Sequence, residues 1–368
     1  MHLLALQSAA DVSPVFENIF SQCLLCGACE QVCPRHLPIT TLVAAARSRF
    51  SMFYGQGGLQ KVVARSVLAR PGLLDGLVRA GVSLKRLQAI PMGSGLRLRL
   101  GLLEERRPVQ EYLEKKSVSA TADINYFSGC LARYLQPSVV TATHQLVEKT
   151  GKKSFAPPGQ CCCGLAAWSA GRPEQAQALA KKNIQAFAGS RGPILTSCAS
   201  CSSHLLTYPD LFAEDDPWHR KARDFAGRVE EFSAYFGALL NPPATTHPRR
   251  VFYHDPCHLR FIENGLTAPR HLLSRMGMQV VASKNGPSCC GQGGLFHIGY
   301  PATSEKIFYK MSHGVLAGKP DVITTTCSGC LMQYQLHLAK MRNETKVMHL
   351  AVLLVELYPD KCKWQERL

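Results

Sequence analysis

Four cysteines lie within eleven residues near the N-terminus, Cys23, Cys26, Cys29 and Cys33, and Pro34 follows the last. Thiolates at this C-x2-C-x2-C-x3-C-P spacing can wrap one face of a cubane [4Fe–4S] cluster. Structural zinc is the plainer alternative. Zinc sites, however, use two separated C-x-x-C or C-x-x-H pairs rather than three cysteines in seven residues with a fourth before proline. Iron–sulfur ligation is therefore the expectation for this run.

The same run is the one bacterial ferredoxins use, and there the fourth cysteine of each run ligates the other of two clusters. Here there is a single run, so Cys23, Cys26 and Cys29 form the secure ligand set and closure is open. Either Cys33 serves a second cluster completed by a partner carrying its own ferredoxin motif, or Cys33 or a remote cysteine closes this one. Cys33 is a ligand candidate under both readings.

The remaining cysteines repeat. Cys130, the triplet Cys162-Cys163-Gly164 and Cys198-x-x-Cys201 recur as Cys257, Cys289-Cys290-Gly291 and Cys327-x-x-Cys330, at offsets of 127, 127 and 129 residues. Agreement across three separated groups implies two copies of one domain. Five converging thiolates cannot all bind one zinc ion, and they suit a larger polynuclear core. A dithiol/disulfide relay through the C-x-x-C pairs is the alternative. Cys161 aligns with Ser288 of the second copy and Cys362 lies in the basic tail, so both read as ordinary thiols.

Elements must bring these cysteines together. β-rich runs precede each lone cysteine (124–127 and 251–253) and each C-x-x-C (194–196 and 322–326), with helical runs at 137–150, 173–188, 268–276 and 303–316. Alternation of strand and helix predicts a parallel α/β sheet in each copy. Ligands in such folds sit beyond the carboxyl ends of strands, where Cys130, Cys198, Cys257 and Cys327 fall. Gly164 and Gly291 would permit a tight turn with positive φ and a close backbone approach to a cofactor. The expected organisation is a small α-helical ferredoxin-like segment at 1–50, a basic helical linker or docking region at 51–122, and two parallel α/β domains at 123–245 and 246–368.

A chain of 368 residues can bury its cores without disulfide staples, and its 16 cysteines are clustered rather than spread as loop-closing pairs. The first residues lack a signal-peptide pattern, so a reducing cytoplasm is expected. No run approaches 18 consecutive apolar residues, so a membrane span is not expected. The net charge of +16 suggests an acidic partner or an anionic surface. Residues 61–107 carry ten basic and three acidic side chains, which suits docking to an acidic protein or peripheral attachment at the inner face of the cytoplasmic membrane; a solvated helical face is equally compatible. No nucleic-acid module, phosphate loop or dinucleotide fingerprint is present. His204, His254, His258 and His297 lie near the clustered cysteines and read as groups that tune sulfur or gate protons.

The duplicated pattern over residues 124–335 resembles the cysteine-rich CCG family, which includes the CCG subunit of heterodisulfide reductase and the iron–sulfur subunits of glycolate and lactate oxidation. Gly129-Cys130-Leu131-Ala132-Arg133-Tyr134 and His254-Asp255-Pro256-Cys257-His258 are similar to that group. The resemblance implies one noncubane [4Fe–4S] cluster on Cys130, Cys162, Cys163, Cys198 and Cys201, and another on Cys257, Cys289, Cys290, Cys327 and Cys330. It implies an electron-transfer subunit of a 2-hydroxy-acid dehydrogenase complex, taking electrons from a flavoprotein dehydrogenase subunit and passing them to a quinone or membrane-anchored acceptor. Glycolate-type members often have eroded CCG sets, whereas both are intact here, which supports a second reading as a heterodisulfide-reductase-like subunit. A zinc-stabilised scaffold is the third.

Overall fold

The computed structural model describes residues 13–54, 61–63, 66, 122–243, 248–284, 286 and 288–358. Most of the basic 61–107 segment, and Cys362, lie outside them.

The chain builds two sheets of the same topology. In the first, β1 (Ile124–Phe127), β2 (Ser154–Phe155), β3 (Ile194–Thr196) and β4 (Val229–Glu231) run parallel in the order β2-β1-β3-β4. In the second, β5 (Arg250–Tyr253), β6 (Gln279–Val281), β7 (Val322–Thr325) and β8 (Lys346–His349) repeat that arrangement as β6-β5-β7-β8. All residues of β1, β3 and β7 are buried, as expected of parallel strands covered on both faces. The expected α/β class and its two repeats are thus present, with a helical N-terminal region ahead of them.

In each sheet the two central strands send their connections in opposite directions, which opens a crevice at their carboxyl ends. A tyrosine on each first strand pins that crevice. Tyr126 and Ser197 are 2.8 Å apart, and the equivalent Tyr253 and Thr326 are 2.7 Å apart, each a buried hydroxyl pair. The helices expected between strands form at Pro137–Lys149, Pro173–Phe187, Ala268–Arg275 and Pro301–Leu316. All four carry proline in the first turn, where its missing N–H removes no helical bond.

The repeats pack reciprocally. Pro137–Lys149, which follows the first strand of repeat one, packs on Leu350–Val355, which follows the last strand of repeat two, and Phe232–Leu239 packs on Ala268–Arg275 in the mirrored relationship. One apolar core, including Phe127, Leu146, Phe236, Leu272, Tyr334 and Leu354, runs through both. Polar ties cross the same boundary: the Ala199 amide donates to the Thr326 carbonyl (2.7 Å), the Gln136 side-chain amide to Ser328 (3.1 Å), and the His349 Nε2 to Ser197 (2.9 Å).

The N-terminal region consists of α1 (Pro14–Ser21), α2 (Ala28–Val32) and α3 (Ile39–Arg49). Arg47 on α3 is 7% exposed and donates to the carbonyls of Phe20, Cys23, Phe53 and Ser169, so one guanidinium ties the cysteine loop to repeat one. Lys61 belongs to this packing too. It donates to the Tyr54 carbonyl (2.8 Å), lies over the rings of Tyr54 and Tyr300, and burial lowers its pKa to about 8. Counted in sequence among the cations of the docking segment, it is instead interior.

Candidate iron–sulfur sites

Each repeat gathers its five cysteines from three places. Cys130 follows β1, Cys198 follows β3 and Cys201 lies on the helix Ala199–Leu206, while Cys162 and Cys163 arrive on the loop before Leu165–Ser169. Cys257, Cys327, Cys330, Cys289 and Cys290 take the corresponding places in repeat two. The carboxyl-end placement expected from sequence is the one observed.

The sulfurs form a chain of contacts. In repeat one, Cys130 donates to Cys162 at 3.8 Å, Cys163 neighbours both Cys162 and Cys201, and Cys198 neighbours Cys201. In repeat two, Cys257 and Cys290 neighbour Cys289, Cys290 lies 3.3 Å from Cys330, and Cys330 neighbours Cys327. The two chains meet where Cys198 neighbours Cys327 across the repeat boundary.

This arrangement concentrates negative charge on few sulfurs. Hydrogen bonds from Cys130 and Cys163 hold the Cys162 thiol well below the usual range, and Cys257 and Cys290 do the same for Cys289. Hydrogen bonds to those same neighbours, together with burial, push Cys130, Cys163, Cys257 and Cys290 up. Cys198 is lowered by its bond with Cys201, but the bond with Cys327 and burial outweigh this and take it to about 12. Without a cation the pocket therefore keeps most of its thiols protonated. Binding of all five as thiolates requires compensating positive charge, and a polynuclear iron core supplies it. The donor set fits an iron–sulfur group.

The loops are held by side chains that a single sequence does not flag. Asn183 accepts from the Cys161 amide (2.8 Å) and donates to the Cys162 carbonyl (3.0 Å), and Tyr208 donates to the Cys163 carbonyl (2.8 Å). In repeat two Ser304 donates to the Gly291 carbonyl (2.8 Å) and receives a bond from Gln333 (2.9 Å). A buried asparagine inside a helix, where its propensity is poor, is the one retrospective signal. Gly164 and Gly291 have φ of +99° and +85°, as expected, and both also lie near protein backbone. A Cβ on Gly291 would stand 2.5 Å from the Ser304 carbonyl oxygen. Cys161 turns away from the sulfurs, toward the carbonyls of Cys162 and Leu179, and burial takes its thiol to about 12.

The N-terminal run docks on repeat two. Arg260 donates to the Cys26 carbonyl (3.4 Å), Gly27 lies against Phe261, Gly293 against Leu24, and Cys26 feels the charge of Cys289 and Cys23. Cys23 accepts from the Leu25 amide (3.4 Å), Cys29 is exposed on α2, and Cys33 closes that helix with its thiol lowered by the backbone amides of Leu37, Arg35 and His36. Of the histidines, His258 bonds Ser200 (3.0 Å) and Cys257 (3.8 Å), His254 reaches Tyr334 (3.3 Å), His204 lies between Trp168 and Tyr208, and His297 is held by Gly294 and Gln292.

The CCG family description, cysteine-rich domain, matches residues 124–206 and 251–335. The chain belongs to this cysteine-rich CCG family, in the branch that includes lactate utilization protein A. It is 30% identical to "Lactate utilization protein A" of Shouchella clausii over 63% of this chain and 98% of the relative, and 31% identical to that of Macrococcus caseolyticus over 63% and 95%. It is 28% identical to "Probable glycolate oxidase iron-sulfur subunit" of Bacillus subtilis over 92% of this chain and 82% of the relative. Among the described residues no helix is long and apolar enough to cross a membrane.

Proposed function

We propose that this chain is the iron–sulfur electron-transfer subunit of a 2-hydroxy-acid dehydrogenase complex, receiving electrons from a flavoprotein that oxidises glycolate or lactate and delivering them to a quinone or membrane-anchored acceptor. The similarity to the glycolate oxidase iron–sulfur subunit, over 92% of this chain, supports the assignment. Iron–sulfur centres supply single-electron transfer between such partners. Cys23, Cys26, Cys29 and Cys33 are the candidates for one [4Fe–4S] group, and the two five-cysteine sets for one noncubane group each.

The single observation that carries this reading is the continuity of the thiol sets. Cys26 neighbours Cys289, and Cys327 neighbours Cys198, so the sets are ordered N-terminal run, repeat two, repeat one, rather than by position in the chain. A docking flavoprotein at the exposed N-terminal run would stand at one end of that series and an acceptor near repeat one at the other. The domain division at 1–50, 51–122, 123–245 and 246–368 is retained as part of this proposal.

The test is purification of the tagged chain under anoxic conditions with its associated proteins. A copurifying flavoprotein, with bleaching of the iron–sulfur absorbance by glycolate or lactate only in the complex, supports the assignment. A stable flavin-free chain that turns over disulfides with reduced viologen, abolished by Cys162→Ala or Cys289→Ala, contradicts it and supports the heterodisulfide-reductase-like alternative. The direct meeting of both cysteine sets at Cys198 and Cys327 is the observation favouring that alternative.

A further inference from the structure

One difference between the two copies falls beside the sulfurs. Where β1 ends with Phe127, the equivalent end of β5 is followed by His254, and a ring nitrogen of His254 lies within 4.8 Å of the sulfurs of Cys290 and Cys330. All three residues are buried.

The hydrogen bonding leaves Nε2 as the nitrogen without a partner. The Tyr334 hydroxyl has the Met311 sulfur (3.0 Å) as an acceptor, so its oxygen is able to accept from His254 Nδ1, 3.3 Å away. With the proton on Nδ1, Nε2 carries the lone pair, and this Nε2 is buried with no hydrogen-bond partner. Leaving a buried acceptor unpaired is costly, and a metal bond would offset that cost. A ligating imidazole ordinarily has its second nitrogen engaged in this way, here by Tyr334.

On the iron–sulfur reading above, we propose that His254 is a nitrogen ligand, through Nε2, to the iron held by Cys257, Cys289, Cys290, Cys327 and Cys330. The repeat-two site is then mixed in its donors and the repeat-one site, with Phe127, has no nitrogen at this position. A neutral nitrogen donor at one site and none at the other makes the two ligand sets unequal, so the asymmetry would set the two sites apart along the series.

The experiment is pulsed EPR on the reduced protein, purified without oxygen, from cells supplied with natural or 15N-histidine. A nitrogen bonded to iron gives a strong hyperfine coupling whose pattern changes with the isotope. We expect that coupling in the unsubstituted chain, its loss in His254→Phe, and its retention in His204→Phe and His258→Phe. If His254→Phe does not accumulate, His254→Gln, which keeps a polar side chain at the position, is read in its place, and loss of the coupling there assigns the ligand. Iron and sulfide present with only weak nitrogen couplings, or a strong coupling lost in His204→Phe or His258→Phe, overturns the ligand and leaves the iron–sulfur reading standing. A chain without iron overturns both.

Discussion

Cys198 of the first repeat and Cys327 of the second are neighbours that shift one another's thiol acidity, and that approach joins two five-cysteine sets into one continuous series of sulfurs. It is reinforced by Ser200, whose hydroxyl lies 3.3 Å from Cys327 and 3.0 Å from His258. The reciprocal packing of Pro137–Lys149 on Leu350–Val355 and of Phe232–Leu239 on Ala268–Arg275 brings the two crevices together at this point.

Removing one member of the contact should be felt in both repeats. Cys327→Ala is expected to lose roughly four iron atoms per chain, one cluster's complement. It should also alter the EPR line shape of the repeat-one centre, because Cys198 loses its neighbour. Iron content and EPR of the variant check this; an unchanged repeat-one signal would show the sets to be independent.

The two triplet glycines should differ in their tolerance of alanine. Both adopt positive φ, a conformation costing an L-residue roughly 1–2 kcal/mol. The added Cβ at Gly164 would stand 3.4 Å from the Ala176 carbonyl oxygen, but at Gly291 only 2.5 Å from that of Ser304. Gly291→Ala should therefore destabilise by more than Gly164→Ala and deplete iron from repeat two. Denaturant unfolding of both variants tests the ranking, and equal losses would contradict it.

Arg47 holds four carbonyl oxygens from three parts of the chain. Arg47→Ala leaves buried acceptors unpaired and should destabilise by roughly 2–5 kcal/mol, with Arg47→Lys recovering only part because an ammonium lacks the planar fork. A denaturation midpoint within error of the unsubstituted chain would refute this role.

Glu231 and His349 occupy equivalent positions as N-caps after the fourth strand of each repeat, and they should give opposite pH dependences. Burial raises the Glu231 carboxyl to about 7, so its contribution is complete below its unfolded value near 4.5 and is lost as pH rises to about 7. Burial lowers His349 to about 4, so its contribution is present above about 6.5 and is lost as pH falls toward 4. Unfolding free energies measured between pH 5 and 8 should fall less steeply with rising pH in Glu231→Gln than in the unsubstituted chain. The His349→Gln variant should show less loss on acidification. Parallel curves for all three proteins would count against both assignments.

The repeat, the parallel sheets and the placement of cysteines at strand ends were legible because cysteine spacing and strand–helix alternation are local patterns. The boundary strand Ser154–Phe155 was not, being two residues long and without a periodicity of its own. Nor was the order of the thiol sets, since the docking of Cys26 beside Cys289 depends on contacts between segments more than 200 residues apart. Asn183, Tyr208 and Ser304 act on backbone carbonyls, a role with no signature in residue type, and Lys61 read as a surface cation until Tyr54 and Tyr300 were seen to enclose it.

The central claim, that these cysteines hold iron–sulfur groups, is tested most directly by counting iron, acid-labile sulfide and zinc in the full chain purified without oxygen. Three four-iron groups correspond to roughly twelve iron atoms per chain, with similar sulfide and almost no zinc. Stoichiometric zinc with negligible iron and no labile sulfide would contradict it.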